Sequence, residues 1–330
     1  MAVIPLNCVA TMKILFTDHD MLDINLERSI FADAGIEMIQ AQCKSTDEVI
    51  AHAAGCSALL VQYAPVNAEV FAARPEIKLC SRIGAGYDTI NADHAAQAGV
   101  WVANSPDYGV GEVSLHALGM MLNAIRGLGR FDQDIHAGNW HYSTTGKIPR
   151  AQNLTVGVLG LGRIGKRFAH YAQPIFKNVI AHDPNLIDGD YPQYVKRVSL
   201  SELFEQADAI SIHCLLNGGT RGLVNESLLM RMKKGSYLVN TARGAVIDID
   251  GLTAAMAKDQ LAGVGLDVLP VEPIAPDHPL LKDRRVMFTP HSAFYSAESE
   301  IELRHKAAMN IVNWMKSGRP DYPVNKPRAR

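Results

Sequence analysis

The sequence predicts an α/β fold made of two domains, each with a parallel sheet covered by helices. Short β-branched runs alternate with longer helical stretches along most of the chain, and this alternation is typical of βαβ units. The alternation stops near Pro106 and begins again near Asn153, so it forms two blocks. The length of 330 residues also fits two domains, since single domains have roughly 100–200 residues.

The first block contains five strand-like runs separated by helical stretches. It opens with KILFTD at residues 13–18 and closes with VWVANS at residues 100–105. Gly35 and Gly99 each follow a predicted helix directly, which is a common way for a helix to end. The other predicted strands are IEMIQ, SALLVQ and IKLCSRIG, and the predicted helices cover residues 23–34, 46–54, 67–73 and 91–98.

Between the two blocks, a long helix is predicted over residues 110–126. Apolar residues such as Leu118, Met121 and Ile125 recur there at helical spacing. A second helical piece runs to His136, and a connector containing Gly, Pro and Thr leads on to the second block.

The second block repeats the alternation of strands and helices, and an amphipathic helix over residues 297–316 follows it. Its predicted strands are TVGVLG, NVIAHD, DAISIHC, GSYLVNTAR, LAGVGLDV and RVMFTP. Its predicted helices cover residues 163–173, 199–206, 225–233 and 248–259.

The composition excludes several classes of protein. Lys and Arg number 32 against 34 Asp and Glu, a net charge of −2, so there is no positive surplus for binding nucleic acid. A hydrophobic fraction of 48% argues against a disordered chain. No run approaches the ~18 uninterrupted apolar residues that a membrane span requires. We therefore expect a soluble globular protein that binds neither nucleic acid nor membranes.

The N-terminal residues and the cysteines predict a cytoplasmic location. The first twelve residues lack the positive region and the cleavage site of a signal peptide. Because Met12 directly precedes KILFTD, the first eleven residues are either a disordered extension or the result of a misassigned start. An odd number of cysteines without a C-x-x-C pair favours reduced thiols, and predicts no bound metal. The five are Cys8, Cys43, Cys56, Cys80 and Cys214.

The motif that points most directly to a function is G-x-G-x-x-G at Gly160, Gly162 and Gly165, between a predicted strand and a predicted helix. In a dinucleotide-binding turn, the first glycine permits the tight turn and the second lets a pyrophosphate approach the backbone. The third allows close packing of helix and strand. The helix N-terminus at Arg163 and Ile164 would present unpaired amides and a partial positive charge to the phosphate. The alternative is that these glycines only form a tight turn.

An acidic residue, Asp183, stands 18 residues after Gly165, at the end of NVIAHD. A carboxylate at this place accepts hydrogen bonds from the ribose hydroxyls and repels a 2′-phosphate. No Arg or Lys follows it until Lys196. These observations predict NAD(H) rather than NADP(H) as the cofactor. Asp183 could equally be a turn or N-cap residue, because Pro184 follows it.

Three further segments place charged residues at or near the ends of predicted strands: NTARGAVID with Arg243, GLDVLPVEP with Glu272, and TPHSA with His291. Such groups near a nicotinamide suit hydride transfer at a carbon that bears oxygen. His291 could exchange a proton with that oxygen, and Glu272 could hold the far ring nitrogen. Arg243 could bind a carboxylate. Taken separately, each has a simpler interpretation, as a surface cation, a solvated loop residue or a structural histidine.

Together, these motifs closely resemble the D-isomer-specific 2-hydroxyacid dehydrogenases over nearly the whole chain. RIGAGYDTI, LVNTARG and TPHSAFYSAESEIELR are most similar to the C-terminal-binding-protein branch of that family. The resemblance implies reversible hydride transfer between NADH and a small 2-oxo acid. It implies that Arg243 anchors the substrate carboxylate, that Glu272 partners His291 and that His291 is the acid/base. The further NAD contacts that it implies are Arg163, Ile164, Asp183, His213, Thr220, Thr241, Ala242 and Asp267.

The same resemblance implies a substrate pocket. The loop IGAGYD would offer the backbone amides of Gly84, Ala85 and Gly86 to the substrate carboxylate, and Tyr63 and Arg82 would line the pocket. One residue departs from the branch, which usually has Trp after PHAA, whereas this chain has Phe294 after PHSA. Phenylalanine keeps an aromatic wall but removes the indole N–H, so the substrate preference of that branch does not carry over.

The order of the motifs predicts a discontinuous arrangement of domains. We expect a flavodoxin-like substrate domain of residues 1–103 and 297–330, and a Rossmann NAD-binding domain of residues 104–296. Closure of a cleft between them would exclude water and bring the IGAG loop to Arg243 and His291. The resemblance also implies a homodimer built on the Rossmann domains, with residues 110–140 at the interface.

Two alternatives stay open. The first is an NADH-responsive interaction protein of the corepressor type with residual dehydrogenase activity, as in the C-terminal-binding proteins. A hydrophobic peptide groove on the N-terminal domain would favour it. The second is a formate dehydrogenase, which shares this fold. The pattern of that enzyme pairs its histidine with Gln, however, and this chain has Glu272.

Overall fold

The computed structural model describes residues 12–328. The chain divides into two compact units. One lies within Met1–Tyr108 and Ala297–Arg330, and the other is Gly109–Ser296. We call them unit 1 and unit 2. The predictions about residues 1–11, Cys8 included, lie outside the described residues. The other four cysteines are free thiols.

Unit 1 is built on a five-stranded parallel sheet in the order β2-β1-β3-β4-β5. This is the strand order of flavodoxin-like folds. The strands are β1 Lys13–Phe16, β2 Glu37–Gln40, β3 Ala58–Val61, β4 Leu79–Arg82 and β5 Trp101–Ala103. The helices are α1 Asn25–Asp33, α2 Thr46–His52, α3 Ala68–Ala73, α4 Ala92–Gln97 and, from the distant segment, α11 Ala297–Ser317.

The elements of unit 1 follow from local chemistry. Every side chain of β3 is buried, as expected for a central strand covered on both faces. Three helices begin at a capping side chain that accepts a hydrogen bond from a backbone amide of the first turn. These caps are Ser45 for α2, Asn67 for α3 and Asn91 for α4.

Helix α11 completes unit 1 by packing against α1, β3 and β4. It carries a buried ion pair to α1, in which Arg304 Nε and Nη2 donate to the two carboxylate oxygens of Glu27 at 2.8 Å each. Glu27 is fully buried. Ser81 Oγ of β4 donates to the Ala307 carbonyl at 2.7 Å. These contacts explain why the distant segment belongs to unit 1.

Unit 2 has a seven-stranded parallel sheet in the order β12-β11-β10-β9-β6-β7-β8. The chain builds β6, β7 and β8 in one direction, then returns to the other side of β6 for the remaining strands. The strands are β6 Thr155–Leu159, β7 Asn178–His182, β8 Val195–Arg197, β9 Ala209–Ile212, β10 Ser236–Asn240, β11 Leu261–Leu266 and β12 Val286–Phe288. The helices are α5 Val110–Arg126, α6 Leu128–His136, α7 Arg163–Ala172, α8 Leu200–Gln206, α9 Glu226–Leu229 and α10 Ile249–Ala257.

This strand order is that of a Rossmann sheet with one additional strand. One buried cluster lies between the sheet and helices α5 and α7, with Met121 and Phe168 among its members. The other joins the sheet to α8 and α10, through residues such as Phe204 and Leu252. The order reverses between β6 and β9, and ligands of open α/β sheets bind at the carboxyl ends of the strands at such a point.

The predicted fold class is confirmed, since both sheets are parallel and covered by helices. The sequence analysis missed β8, a three-residue edge strand in which Lys196 and Arg197 are exposed. No helix within residues 12–328 is both long and apolar enough to cross a membrane.

Candidate active site

The glycine-rich turn lies where the order of strands in unit 2 reverses. Gly160 has φ = +89°, and a Cβ there would lie 2.6 Å from the amide nitrogen of Cys214, after β9. A Cβ at Gly165 would lie 2.1 Å from the Gly160 carbonyl oxygen. Both positions therefore exclude a side chain, because the backbones of the turn, α7 and the chain after β9 are too close together.

Gly162 differs from the other two glycines because the space beside it is open. No atom lies within 4 Å of a Cβ built there, and Gly162 caps α7 without a side-chain hydrogen bond. Helix α7 begins at Arg163, and the first amides of a helix point out of its N-terminus. An open approach, amide donors and the positive end of a helix fit the pyrophosphate of a dinucleotide.

Asp183 follows β7 and reaches back to the glycine-rich turn. Its Oδ2 accepts a hydrogen bond from the Leu161 amide at 2.8 Å, and its Oδ1 accepts one from the Asn185 amide at 3.0 Å. The side chain is half-buried. Asp183 thus does stabilise its own turn, as one interpretation of the sequence suggested. Its position beside the turn also fits a ribose contact.

His213 Nδ1 and Thr241 Oγ1 are among the buried polar atoms of the described residues that have no hydrogen-bond partner. His213 follows β9 beside Gly160, and Thr241 follows the neighbouring strand β10. Burial lowers the pKa of His213 to about 3, so the ring is neutral, and its Nε2 lies 2.9 Å from Ser211 Oγ. Unsatisfied buried polar atoms are costly in a protein, and a polar cofactor would satisfy them.

Two other predicted NAD contacts hold local structure. Thr220 Oγ1 donates to the Leu215 carbonyl at 2.5 Å and accepts from the Asn217 amide at 2.8 Å. The Ala242 amide donates to Asn240 Oδ1 at 3.0 Å. Both residues therefore shape the loops after β9 and β10.

Arg243 and Glu272 lie on two loops that pack against each other. A Cβ on Gly244 would lie 1.9 Å from the Leu269 carbonyl carbon, so the backbones of the two loops touch. Arg243 is half-buried, and its Nη1 donates to the Ala242 carbonyl at 2.8 Å. The guanidinium is near enough to help lower the pKa of Glu272.

His291 and Glu272 form a hydrogen-bonded pair, with 2.8 Å between Nδ1 and Oε2. The other oxygen, Oε1, accepts from the Leu269 amide at 2.8 Å. Burial raises the pKa of Glu272, but the hydrogen bonds from His291 and Leu269 and the charges of His291 and Arg243 outweigh it and hold that pKa below its usual range. The carboxylate is therefore ionised at neutral pH, and Nδ1 of His291 carries a proton.

The backbone of His291 is held in the left-handed region, at φ = +53°. This conformation is unfavourable for a residue with a side chain. The His291 amide donates to the Asp267 carbonyl at 2.8 Å and to the Thr289 carbonyl at 3.0 Å. These contacts fix the direction in which the ring leaves the chain.

The carboxylate of Asp267 is buried, with 3% exposure, and secures the loop that carries His291. Its Oδ1 accepts from Thr289 Oγ1 at 2.6 Å and from the Ser292 amide at 2.8 Å. Its Oδ2 accepts from the Ala293 amide at 3.1 Å. Sequence reasoning predicted only an NAD contact at this residue and missed the partners Thr289 and Ser292.

The predicted substrate residues of unit 1 lie at the carboxyl ends of its strands. Tyr63, after β3, donates from its hydroxyl to Asp20 Oδ2 at 3.1 Å. Partial burial and the neighbouring Asp20 carboxylate raise the pKa of Tyr63 to about 12. Arg82, at the end of β4, folds over Gly84, where a Cβ would lie 1.1 Å from Arg82 Nη1. Sequence reasoning missed Asp20.

The IGAG loop is held by residues that follow β5. Ser105 donates from its amide to the Gly84 carbonyl at 2.9 Å, and Asn104 Nδ2 donates to the Ala85 carbonyl at 2.6 Å. The Gly84 amide donates to the Arg82 carbonyl at 3.0 Å. Among the described residues, the amides of Ala85 and Gly86 have no acceptor.

Phe294 belongs to unit 2 and is half-buried. A Cβ built on Gly109, the residue before α5, would lie 3.5 Å from the Cβ of Phe294. Its ring meets that of Tyr295 edge-on, at 87°. The segment after His291 therefore packs at the start of α5.

A Rossmann sheet with an open glycine-rich turn at its reversal point is the fold of the nicotinamide-dependent dehydrogenases. A histidine held by an ionised carboxylate adds a group that can transfer a proton. These features define the class of protein. Comparison with known proteins then identifies the family.

The sequence model of the "D-isomer specific 2-hydroxyacid dehydrogenase, NAD binding domain" matches residues 118–293. The chain is 30% identical over 285 residues to a hydroxypyruvate reductase of Blautia hydrogenotrophica, covering 85% of this chain and 88% of the relative. It is 33% identical over 269 residues to a glyoxylate reductase of Thermofilum pendens, covering 79% and 78%. A D-lactate dehydrogenase from Aquifex aeolicus, solved with NAD and lactic acid, superimposes with a TM-score of 0.86 at 27% identity, covering 96% of this chain and 100% of the other.

The chain belongs to the D-isomer-specific 2-hydroxyacid dehydrogenase family. The predicted family, the predicted NAD cofactor and the prediction of an NAD-dependent oxidoreductase are confirmed.

Proposed function

We propose that this enzyme reversibly reduces a small 2-oxo acid to the D-2-hydroxy acid with NADH, using His291 as acid/base and Arg243 to hold the substrate carboxylate. The observation that carries the proposal is the hydrogen bond of 2.8 Å between His291 Nδ1 and Glu272 Oε2. It gives the ring one nitrogen fixed by a carboxylate and one, Nε2, to exchange a proton.

Proton transfer follows from this pairing. In reduction, Nε2 of protonated His291 donates its proton to the carbonyl oxygen as the carbonyl carbon becomes tetrahedral. The ionised Glu272 stabilises the protonated ring and keeps it oriented. In the oxidation direction, neutral His291 accepts the proton of the substrate hydroxyl through the same nitrogen.

Arg243 suits the carboxylate of the substrate. Its guanidinium stays charged and can form two parallel hydrogen bonds to a carboxylate. It lies after β10, two strands away from β12, whose following loop carries His291. Binding the carboxylate there would hold the adjacent carbonyl in a constant place.

We propose that the cofactor lies along the carboxyl ends of the strands of unit 2. The amides at Gly162, Arg163 and Ile164 would hold the pyrophosphate, and Asp183 would accept from the ribose hydroxyls. His213 and Thr241 would satisfy their unpartnered atoms against it, with Thr220, Ala242 and Asp267 nearby. When bound, NADH supplies the hydride.

We propose that unit 1 is the substrate domain. The amides of Ala85 and Gly86 are better donors for the substrate carboxylate than that of Gly84, which already donates to Arg82. Tyr63 and Arg82 are the substrate contacts that we propose for this unit, and Phe294 of unit 2 stays a predicted substrate residue. Two relatives are named hydroxypyruvate reductase and glyoxylate reductase, so we place small 2-oxo acids first among the substrates.

We propose a homodimer formed through unit 2. Large apolar side chains of residues 110–142 are exposed, and exposed apolar patches of this kind favour association. They are Leu115, Leu128, Ile135, Trp140 and Tyr142. One chain has a mass of 36.0 kDa, and light scattering after gel filtration should give twice that mass. A cytoplasmic location and the interaction-protein alternative stay predictions.

The proposed activity is tested with glyoxylate, hydroxypyruvate, phenylpyruvate and 4-methylthio-2-oxobutyrate, each with NADH and with NADPH. We expect NADH oxidation with at least one of them. His291→Ala should lower kcat by roughly 10²–10⁴-fold, with NADH binding retained. No turnover with any substrate would reject the activity, and an unchanged kcat in the variant would reject the role of His291.

A further inference from the structure

A polar chain leads from helix α5 to the loop that carries His291. His116 Nε2 lies 3.0 Å from Thr289 Oγ1, and Thr289 Oγ1 lies 2.6 Å from Asp267 Oδ1. His116 stands in an otherwise apolar stretch, LHALGMML, and its helix packs against β11 and β12. Sequence reasoning predicted this helix from the spacing of its apolar residues, placed it at a dimer interface and gave His116 no role.

The directions of these hydrogen bonds follow from the number of protons. A hydroxyl has one hydrogen, and both oxygens of Asp267 act as acceptors, since they receive the amides of Ser292 and Ala293. Thr289 therefore donates to Asp267 and must accept from His116, so Nε2 of His116 carries a hydrogen. This order also assigns the tautomer of His116.

We propose that His116 is a positioning residue for the reaction, acting through Thr289 and Asp267 on His291. The proposal rests on the acid/base role of His291 proposed above. His116 fixes the Thr289 hydroxyl toward Asp267, and the carboxylate of Asp267 also receives the amides of Ser292 and Ala293. The residues on both sides of His291 are thus tied to one buried carboxylate.

The left-handed backbone of His291 explains why this support matters. Residues with side chains rarely adopt φ = +53°, so the loop needs contacts that hold it there. The His291 amide donates to the carbonyl of Asp267 at 2.8 Å. A shift of Asp267 would therefore move both the backbone of His291 and the flanking residues, and misplacement of a catalytic group slows the reaction.

An ordinary half-buried histidine with only a structural role is the competing interpretation, and a conservative variant separates the two. His116→Gln can still donate from an amide nitrogen, whereas His116→Leu cannot. We expect His116→Leu to lower kcat about tenfold, with KM for the 2-oxo acid and Kd for NADH within about twofold of wild type. His116→Gln should recover kcat to within about threefold. His94→Leu, at an exposed histidine of α4, is the matched control.

A double-variant cycle tests the path through Thr289. Thr289→Val removes the same link, so His116→Leu combined with Thr289→Val should lower kcat no more than the stronger single variant does. Additive effects would overturn the proposed path. An unchanged kcat in His116→Leu, or equal losses in the Leu and Gln variants, would overturn the positioning role.

Nitrogen-15 spectra of the histidines give a measurement that does not depend on turnover. We expect His116 to hold its hydrogen on Nε2 in the wild type and in His291→Ala, and its signal to shift in Thr289→Val. Hydrogen on Nδ1 alone would overturn the proposal. Failure of the proposed function is distinct, because it would appear as an inactive wild type or a fully active His291→Ala with the His116 signal still in place.

Discussion

Replacing Glu272 with Gln tests how the carboxylate acts on His291. Glutamine keeps the size of the side chain and can still accept from the Leu269 amide, but it has no negative charge. The hydrogen bond of 2.8 Å to His291 Nδ1 then no longer stabilises the protonated ring by charge. Because the pKa of Glu272 lies below its usual range, the wild-type carboxylate is ionised throughout the neutral range and this charge is always present.

The magnitude follows from the exposure of the pair. A hydrogen bond to a charged group contributes about 1.5–3 kcal/mol when well shielded. The side chains of His291 and Glu272 are 35% and 38% exposed, so screening by solvent reduces this to about 1 kcal/mol. At about 1.36 kcal/mol for each factor of ten in rate, a loss of about 1 kcal/mol corresponds to about fivefold.

Both directions of the reaction should slow. Glutamine removes the charge that stabilises and orients the ring while Nε2 exchanges a proton with the substrate oxygen. We therefore expect kcat/KM to fall about fivefold for reduction and for oxidation. Stopped-flow rates in both directions measure these losses.

The control is Glu226→Gln, a carboxylate of unit 2 that is 41% exposed and pairs with Lys258. It should leave the rates in both directions unchanged. If Glu272→Gln has the rates of the wild type, or faster ones, the stabilisation of the protonated ring by Glu272 is wrong.

Three further predictions concern the cofactor and the stability of unit 1. Asp183→Ser should raise the ratio of kcat/KM for NADPH to that for NADH by roughly tenfold or more, because it removes a charge that repels a 2′-phosphate; an unchanged ratio would contradict the ribose contact. Gly160→Ala places a side chain at φ = +89°, with its Cβ 2.6 Å from the Cys214 amide nitrogen, so it should destabilise the fold by about 1–3 kcal/mol. It should also weaken NADH binding in fluorescence titrations. A variant with the Kd and Tm of the wild type would argue against the close contact. Arg304→Met leaves the buried Glu27 carboxylate unpaired and should cost about 3–5 kcal/mol in urea unfolding; adding Glu27→Gln should restore part of that loss, and an equal or greater loss would refute the pairing.

Much of the fold could be predicted because its strands are buried on both faces. The run ALLV in β3 is apolar throughout, and in AISI of β9 only the small Ser211 is polar, so both are recognisable without any alternation. Strand β8 was not, because Lys196 and Arg197 are exposed and its pairing comes from backbone contacts with β7. An edge strand of three residues leaves little pattern in side chains.

The candidate site was predictable where its residues follow strands in recognisable motifs. Arg243, Glu272 and His291 are of this kind. His116 was not, because one polar residue on an apolar helix gives no sign of its partner 173 residues later. The local roles of Thr220 and Asp267 likewise depend on contacts made after folding, since both oxygens of Asp267 bind backbone amides of a loop that comes more than 20 residues later.

The late position of α11 in the chain has a consequence for folding during synthesis. Its partner helix α1 leaves the ribosome 277 residues before Arg304 does. At translation speeds of roughly 5–20 residues per second, Glu27 and the face of β4 that α11 covers wait on the order of 10–60 s for their partners. Unit 2, Gly109–Ser296, is fully synthesised before then. Unit 1 is therefore the first unit to begin synthesis and the last to be completed. During this interval the nascent chain carries an unpaired carboxylate and an uncovered apolar sheet face, and exposed apolar surface of this kind favours aggregation of incomplete chains.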